Sequence, residues 1–255
     1  MSILLRRREG GIEVLTLNRP DQRNALTPEL MAQLSDALDD AARSDEVRVV
    51  VVTASGDKAF CAGMDLKAFS AGDSDYIGSS CQHFEALIEG RFTKPVIAAV
   101  NATAVAGGFE LMMACDLAVA SHSARFGLPE VRHGLFAAGA GLFLPARIPL
   151  AIALELGLTG DTIDAERAYQ LGLVNRVTAP EDVLSTALTL ALRIAANAPM
   201  GVEVTKRLMW ACAQEGVSAI QARVKDSMDE VFNSEDALEG ARAFAEKRSP
   251  RWQGR

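Results

Sequence analysis

Three short segments hold residues whose types and spacing can do chemistry. In the first, Gly107-Gly108 stands just ahead of Glu110, in Ala106-Gly107-Gly108-Phe109-Glu110-Leu111. If a helix begins at the glycines, its unpaired amides and positive end can stabilise developing negative charge, with Glu110 beside whatever they bind. The alternative is a glycine pair selected for close packing, with Glu110 complementing the helix dipole. In the second, Phe126-Gly127-Leu128-Pro129-Glu130-Val131, proline fixes the backbone ahead of a glutamate with apolar neighbours. A carboxyl held rigidly among apolar groups has a raised pKa, which suits acid/base work near neutral pH. A surface turn ending in a solvated glutamate is the bland reading. The third, Phe60-Cys61-Ala62-Gly63-Met64-Asp65-Leu66, has small residues that let a ligand approach the backbone, or it is a tight strand-to-helix turn with nothing bound.

The elements that must position these segments are short apolar runs alternating with helical patterns. Residues 12–17, 47–53, 95–100, 116–120 and 173–177 read as strands, and residues 47–53 form a β-branched run of the kind a sheet buries on both faces. Residues 27–42, 151–156, 164–171 and 181–197 read as helices, the first with Thr27 as cap and Pro28 at its first position. The alternation predicts an α/β fold with largely parallel strands. After about Asn197 only helices follow, over 200–215, 217–232 and 235–248, the last ended by Pro250. The expected division is a core over residues 1–197 and a helical region over 198–255. Residues 70–80, rich in serine, glycine and aspartate, read as a mobile loop.

The chain has 255 residues, 49% of them hydrophobic, enough for a sizeable core. A net charge of −7 argues against a dedicated nucleic-acid binder, which needs a concentrated basic face. Four widely spaced cysteines without a CxxC pair or zinc-like spacing predict free thiols in a reducing compartment and no metal site. The most apolar region, residues 134–158, is interrupted by Pro145, Arg147, Pro149 and Glu155 and is not a membrane span. A soluble, cytoplasmic protein is expected.

In their order, the segments FCAGMDL, AVAGGFEL and FGLPEV closely resemble the enoyl-CoA hydratase/isomerase (crotonase) superfamily. Residues 18–26 (NRPDQRNAL) resemble its opening signature and residues 244–248 (FAEKR) its ending. The resemblance implies a spiral of ββα units with a C-terminal helical trimerisation region, assembled as a homotrimer or a dimer of trimers. It implies an oxyanion hole made by the amides of Met64 and Gly107, and catalytic glutamates at Glu110 and Glu130. Arg23, Lys67 and, across a subunit boundary, Lys247 would meet the phosphates of coenzyme A. Ala25, Ala62, Asp65, Leu66 and Gly108 would line its path. Coenzyme A is then part of the substrate, and no separate cofactor is implied.

The implied reaction is addition of water to a 2-enoyl-CoA or its elimination from a 3-hydroxyacyl-CoA. A carnitinyl-CoA dehydratase-type activity, a double-bond isomerase and a non-catalytic acyl-CoA-binding protein are the alternatives. The chain departs from the family at Asn101-Ala102, where Asn-Gly is usual, and at Ala106, where a third glycine is frequent. Phe143 stands near a position often held by arginine, which puts a short-chain preference in doubt. His133, beside Gly134, is a pocket or a structural residue.

Overall fold

The β-branched run forms β3 (Val49–Ala54), which is buried along its whole length. Alternate residues feed two different cores. Val50 and Val52 join a large core on one side, whereas Val49 and Val51 join a smaller one on the other. The computed structural model describes residues 2–71 and 82–255, so the loop expected over 70–80 lies, beyond Ala71, outside the described residues.

In chain order, β1 (Leu4–Glu9) and β2 (Ile12–Leu17) are followed by α1 (Pro28–Arg43), β3, β4 (Ala59–Cys61), α2 (Leu66–Ser70) and α3 (Gln82–Ile88). Next come β5 (Val96–Val100), β6 (Thr103–Val105), α4 (Gly107–Ala114), β7 (Leu117–Ser121) and β8 (Arg125–Gly127). After two 3-10 segments, Pro129–His133 and Ala140–Ala146, the chain forms α5 (Leu150–Thr159), β9 (Thr162–Asp164), α6 (Ala165–Gln170) and β10 (Arg176–Thr178). The remaining helices are α7 (Val183–Ala195), α8 (Pro199–Glu215), α9 (Val217–Phe232) and α10 (Glu235–Glu246).

Six strands form one sheet in the order β1-β2-β3-β5-β7-β10, and four form a second in the order β4-β6-β8-β9. Pairing is parallel except between β1 and β2 and between β8 and β9. Helix α1 covers the large core with Leu30, Leu34, Ala37, Leu38 and Ala41, an i, i+4, i+7, i+8, i+11 stripe. Each fully buried leucine there contributes about 1.5–3 kcal/mol. Helix α7 closes the smaller core with Val183, Ala187 and Ala191, whose small side chains let it lie close to the sheet.

The long runs were legible as elements, with shifted bounds: the helix expected over 151–156, for one, runs on to Thr159. The strand expected over 173–177 is β10, because Leu173 and Val174 are spent in the large core before the strand begins. The helix expected to reach Arg248 ends at Glu246, since Lys247 takes a left-handed conformation at φ 54° and caps it. Strands β4, β6, β8 and β9 were not foreseen: at three residues each they are too short to display a period.

Helix α8 is tied to the core through Asp116. The Asp116 carboxylate accepts from the Val96 amide (2.7 Å) and from Trp210 Nε1 (2.6 Å), and pairs with Lys206 Nζ at 2.8 Å. The guanidinium of Arg147 lies 4.9 Å from the centre of the Trp210 ring. Asp116→Ala would leave three donors without their acceptor in a mostly buried junction, and a stability loss of about 3 kcal/mol is expected in urea unfolding. At the other end of the helical region, Asp236 is buried and accepts from the amides of Gln253 (2.6 Å) and Gly254 (3.0 Å), folding the last residues back on α10. Among the described residues, no single helix is long and apolar enough to cross a membrane.

Candidate active site

Three successive units run from the large sheet through a short strand of the second sheet into a helical turn, and each sequence motif falls at that last junction. Residues 62–65 link β4 to α2, Ala106 links β6 to α4, and Leu128 links β8 to the 3-10 segment Pro129–His133. Strands β4, β6 and β8 are parallel neighbours, so their C-terminal ends, and with them the motifs, lie side by side.

The first two junctions touch. Gly63, at φ 85°, approaches the chain so closely that a Cβ on it would lie 2.6 Å from Ala106 Cβ and 3.0 Å from Gly107 N. A Cβ on Gly107 would in turn lie 3.8 Å from Met64 N. Residues 24–26 hold the first junction: Leu26 N donates to Gly63 O at 2.8 Å and Asp65 N to Leu26 O at 3.0 Å. That parallel bridge uses the Gly63 carbonyl and the Asp65 amide and leaves the Met64 amide outside it. Gly107 is the first residue of α4, so its amide has no carbonyl within the helix to bind. The structure therefore brings Met64 and Gly107 together, each with an amide that the local ladder does not use.

Glu110 lies in the first turn of α4 and is partly buried. Its Oε1 accepts from the amides of Gly139 (2.8 Å) and Gly141 (3.0 Å), at the start of the 3-10 segment Ala140–Ala146. Burial raises the proton affinity of this carboxyl above the ordinary range, and the amides of Gly141 and Gly139 pull it back down. Glu130 differs. Both of its carboxyl oxygens are buried without a hydrogen-bond partner. Burial raises its pKa; its own amide offsets part of this, and the charge of Glu110 adds to it. Glu130 thus senses the charge of Glu110, which adds to the effect of its burial.

The rise has a consequence for stability. A buried acid whose pKa is raised on folding makes the folded state bind more protons than the unfolded one, so it costs stability as pH rises above the unfolded value. Glu130→Gln should therefore raise the melting temperature at pH 7–8. The gain should fade as pH falls below about 4.3, where the carboxyl is neutral in both states. Calorimetry of both proteins across that range would check it.

Comparison with known proteins decides what this arrangement belongs to. The family description "Enoyl-CoA hydratase/isomerase" matches residues 7–255. The chain belongs to the enoyl-CoA hydratase/isomerase family. It is 36% identical over 252 residues to a carnitinyl-CoA dehydratase of Proteus mirabilis, covering 96% of each chain, and 38% identical over 254 residues to that of Salmonella typhi, covering 97% of each. Among solved structures it is similar to an enoyl-CoA hydratase from Mycobacterium tuberculosis H37Rv (TM-score 0.92, 43% identity, 99% of each chain). It is also similar to an enoyl-CoA hydratase from Bacillus anthracis (TM-score 0.92, 32% identity, 100% of each chain). The fold is the crotonase spiral of ββα units, and the chain is a crotonase-superfamily enzyme.

In this member of the family the residues expected to meet coenzyme A are not all alike. Arg23 and Lys67 are exposed near the junction, with Ala62 N donating to Arg23 O at 3.1 Å. Ala25 is buried and its carbonyl accepts from Arg19 Nη1 at 2.5 Å; Leu66 is exposed at the start of α2. Asp65 is largely committed to the fold: its amide donates to Leu26, its carbonyl accepts from Phe69 N, and its side chain caps α2 and pairs with Arg19. Gly108 is buried, and a Cβ there would lie 2.1 Å from Cys61 O, so it lets α4 close on β4. Lys247 is exposed beyond α10; among the described residues no hydrogen bond or ion pair joins it to this cluster. His133 is exposed at the end of its 3-10 segment.

Sequence reasoning missed Gly139 and Gly141 as the donors to Glu110. The one local signal was the small-residue run 137–141. It also missed Asn24, fully buried, whose Nδ2 donates to Ser55 O and Ala59 O at 2.9 Å each and so holds the 18–26 loop on the strand preceding Gly63.

Proposed function

We propose that the enzyme interconverts a 2-enoyl-CoA and a 3-hydroxyacyl-CoA by adding or eliminating water. The observation that carries this reading is the pair of differently held glutamates, one clamped by two amides and one without a partner, beside the adjoining Met64 and Gly107 amides. In the hydration direction a water oxygen bonds to the β-carbon. The α,β π-electrons move so that negative charge gathers on the thioester oxygen, where the two amides stabilise the enolate. Glu110, whose anion already accepts two amides, takes the proton from water. Glu130 delivers a proton to the α-carbon as the enolate collapses. Acid/base help of this kind is worth roughly 10²–10⁴-fold, and loss of one oxyanion donor costs about 3–4 kcal/mol.

Coenzyme A enters as part of the substrate, so the reaction needs no resident cofactor. Arg23, Lys67 and Lys247 would hold its phosphates, the last from a neighbouring copy. Ala25, Ala62, Leu66 and Gly108 would line its path, with Asp65 contributing through its position more than through free backbone groups. Residues 1–197 would form the catalytic core and 198–255 the trimerisation region, in a homotrimer or a dimer of trimers.

A second reading, dehydration of a specialised substrate such as carnitinyl-CoA, draws support from the near full-length identity to proteins of that name. The test is turnover of a panel of 2-enoyl-CoAs, 3-hydroxyacyl-CoAs and carnitinyl-CoA, followed by the absorbance of the conjugated thioester. Turnover of the simple substrates supports the leading reading and turnover of carnitinyl-CoA alone the second. Movement of the double bond without uptake or release of water would overturn both.

A further inference from the structure

Ala106 is the one described non-glycine residue at a positive φ among the three junctions that meet at the site, at φ 51° and ψ −134°. Side chains rarely adopt this conformation, and glycine adopts it freely. A strained residue persists only where its surroundings hold it, and such residues gather at functional sites. What surrounds Ala106 is the site itself. Its amide donates to Gly127 O at 3.0 Å, on the strand that leads to Glu130, and its carbonyl accepts from Glu110 N at 3.0 Å. Its methyl fills the space that a side chain on Gly63 would need, one residue before Met64. Its own carbonyl carbon is bonded to the Gly107 nitrogen. One residue therefore joins the two amide-bearing loops and the backbones leading to both glutamates.

We propose that Ala106 is a positioning residue, whose methyl, wedged against Gly63, fixes the spacing and aim of the Met64 and Gly107 amides. The inference rests on the reading of those amides as the oxyanion hole. Without the methyl, residue 106 gains access to further conformations, and the contact that spaces Gly63 from the start of α4 is lost. Preorganised donors stabilise charge because they need not reorganise during reaction, so a looser pair is a weaker one. Ala106→Gly removes the wedge and relieves the strain together, which separates this role from a merely structural one: the fold should hold while the pocket slackens.

The experiment compares the wild type, Ala106→Gly and Ala106→Ser, which keeps a Cβ. Three quantities are read: melting temperature, steady-state hydration of crotonyl-CoA, and the near-ultraviolet enolate absorbance of bound acetoacetyl-CoA. The last reports the amides whether or not water is added. For Ala106→Gly we expect a melting temperature equal to or above wild type. Its kcat should fall about tenfold, a fraction of the ~10²–10³-fold cost of losing a whole donor, with KM within about twofold. The enolate signal should weaken in parallel, and Ala106→Ser should restore both readouts to near wild type. Unchanged kcat and enolate signal in Ala106→Gly would overturn the proposal, as would a loss that merely follows a lowered melting temperature. If the wild type forms the enolate without hydrating crotonyl-CoA, the hydratase reading fails and the enolate arm still decides the role of Ala106. If it does neither, the oxyanion-hole reading fails and takes this inference with it.

Discussion

Glu110→Gln and Glu130→Gln are each expected to lower kcat for enoyl-CoA hydration by about 10²–10⁴-fold, with KM changed only a few-fold. The two losses have different physical origins. In Glu110→Gln the new amide can keep its carbonyl oxygen on the amides of Gly139 and Gly141, so the side chain stays in place and only its basicity disappears. At position 130 both carboxyl oxygens lack a hydrogen-bond partner, so the substitution removes the proposed proton donor without breaking a bond of the fold. Both variants should bind a saturated acyl-CoA as the wild type does, measurable by titration calorimetry. Retention of more than half the wild-type rate by both would remove the glutamate pair from the mechanism. The expected gain in thermal stability of Glu130→Gln at neutral pH reads the same carboxyl from the other side: burial that raises its pKa costs the fold stability above the unfolded value.

Gly63→Ala is expected to damage the amide pocket directly. The added Cβ would sit 2.6 Å from Ala106 Cβ, 3.0 Å from Gly107 N and 3.2 Å from Val105 O, at a backbone φ of +85°. Two of those neighbours are backbone atoms, so relief must come from moving one loop off the other. That separates the Met64 and Gly107 amides. A stability loss of about 2–4 kcal/mol should follow from overpacking and the left-handed strain together. A rate loss of about 10²–10³-fold should accompany it, as when an oxyanion donor is removed. Because the clash is partly with the Ala106 methyl, the double variant Gly63→Ala/Ala106→Gly should recover part of the stability. Urea unfolding and kcat of the four proteins in the cycle would measure the coupling, and strict additivity would show that the two residues do not press on each other.

Much of the candidate site was legible before the fold was known, for particular reasons. Glu130 follows a proline among apolar residues, and Gly107-Gly108 precedes Glu110 at a helix start; each is a local conflict with ordinary packing, and such conflicts mark function. Local signals were silent about the partners that give these residues their character. Gly139 and Gly141 lie 29 and 31 residues from Glu110, and a glycine amide announces no partner in sequence. Likewise the small-sheet strands β4, β6 and β8 are three residues long, and only pairing with one another makes them strands.

By itself the sequence determined the element types of the long segments, the burial of β3 on both faces, and the ordered motifs that carry the family resemblance. These are properties of neighbouring residues: periodicity, capping and the chemistry of each side chain. Tertiary structure decided that the three motifs share one edge of a second sheet, that Glu110 is clamped while Glu130 is left unpartnered, and that an alanine occupies a backbone conformation where glycine is expected. Those depend on which distant groups arrive at the same place, and burial, hydrogen bonding and strain exist only once they have arrived.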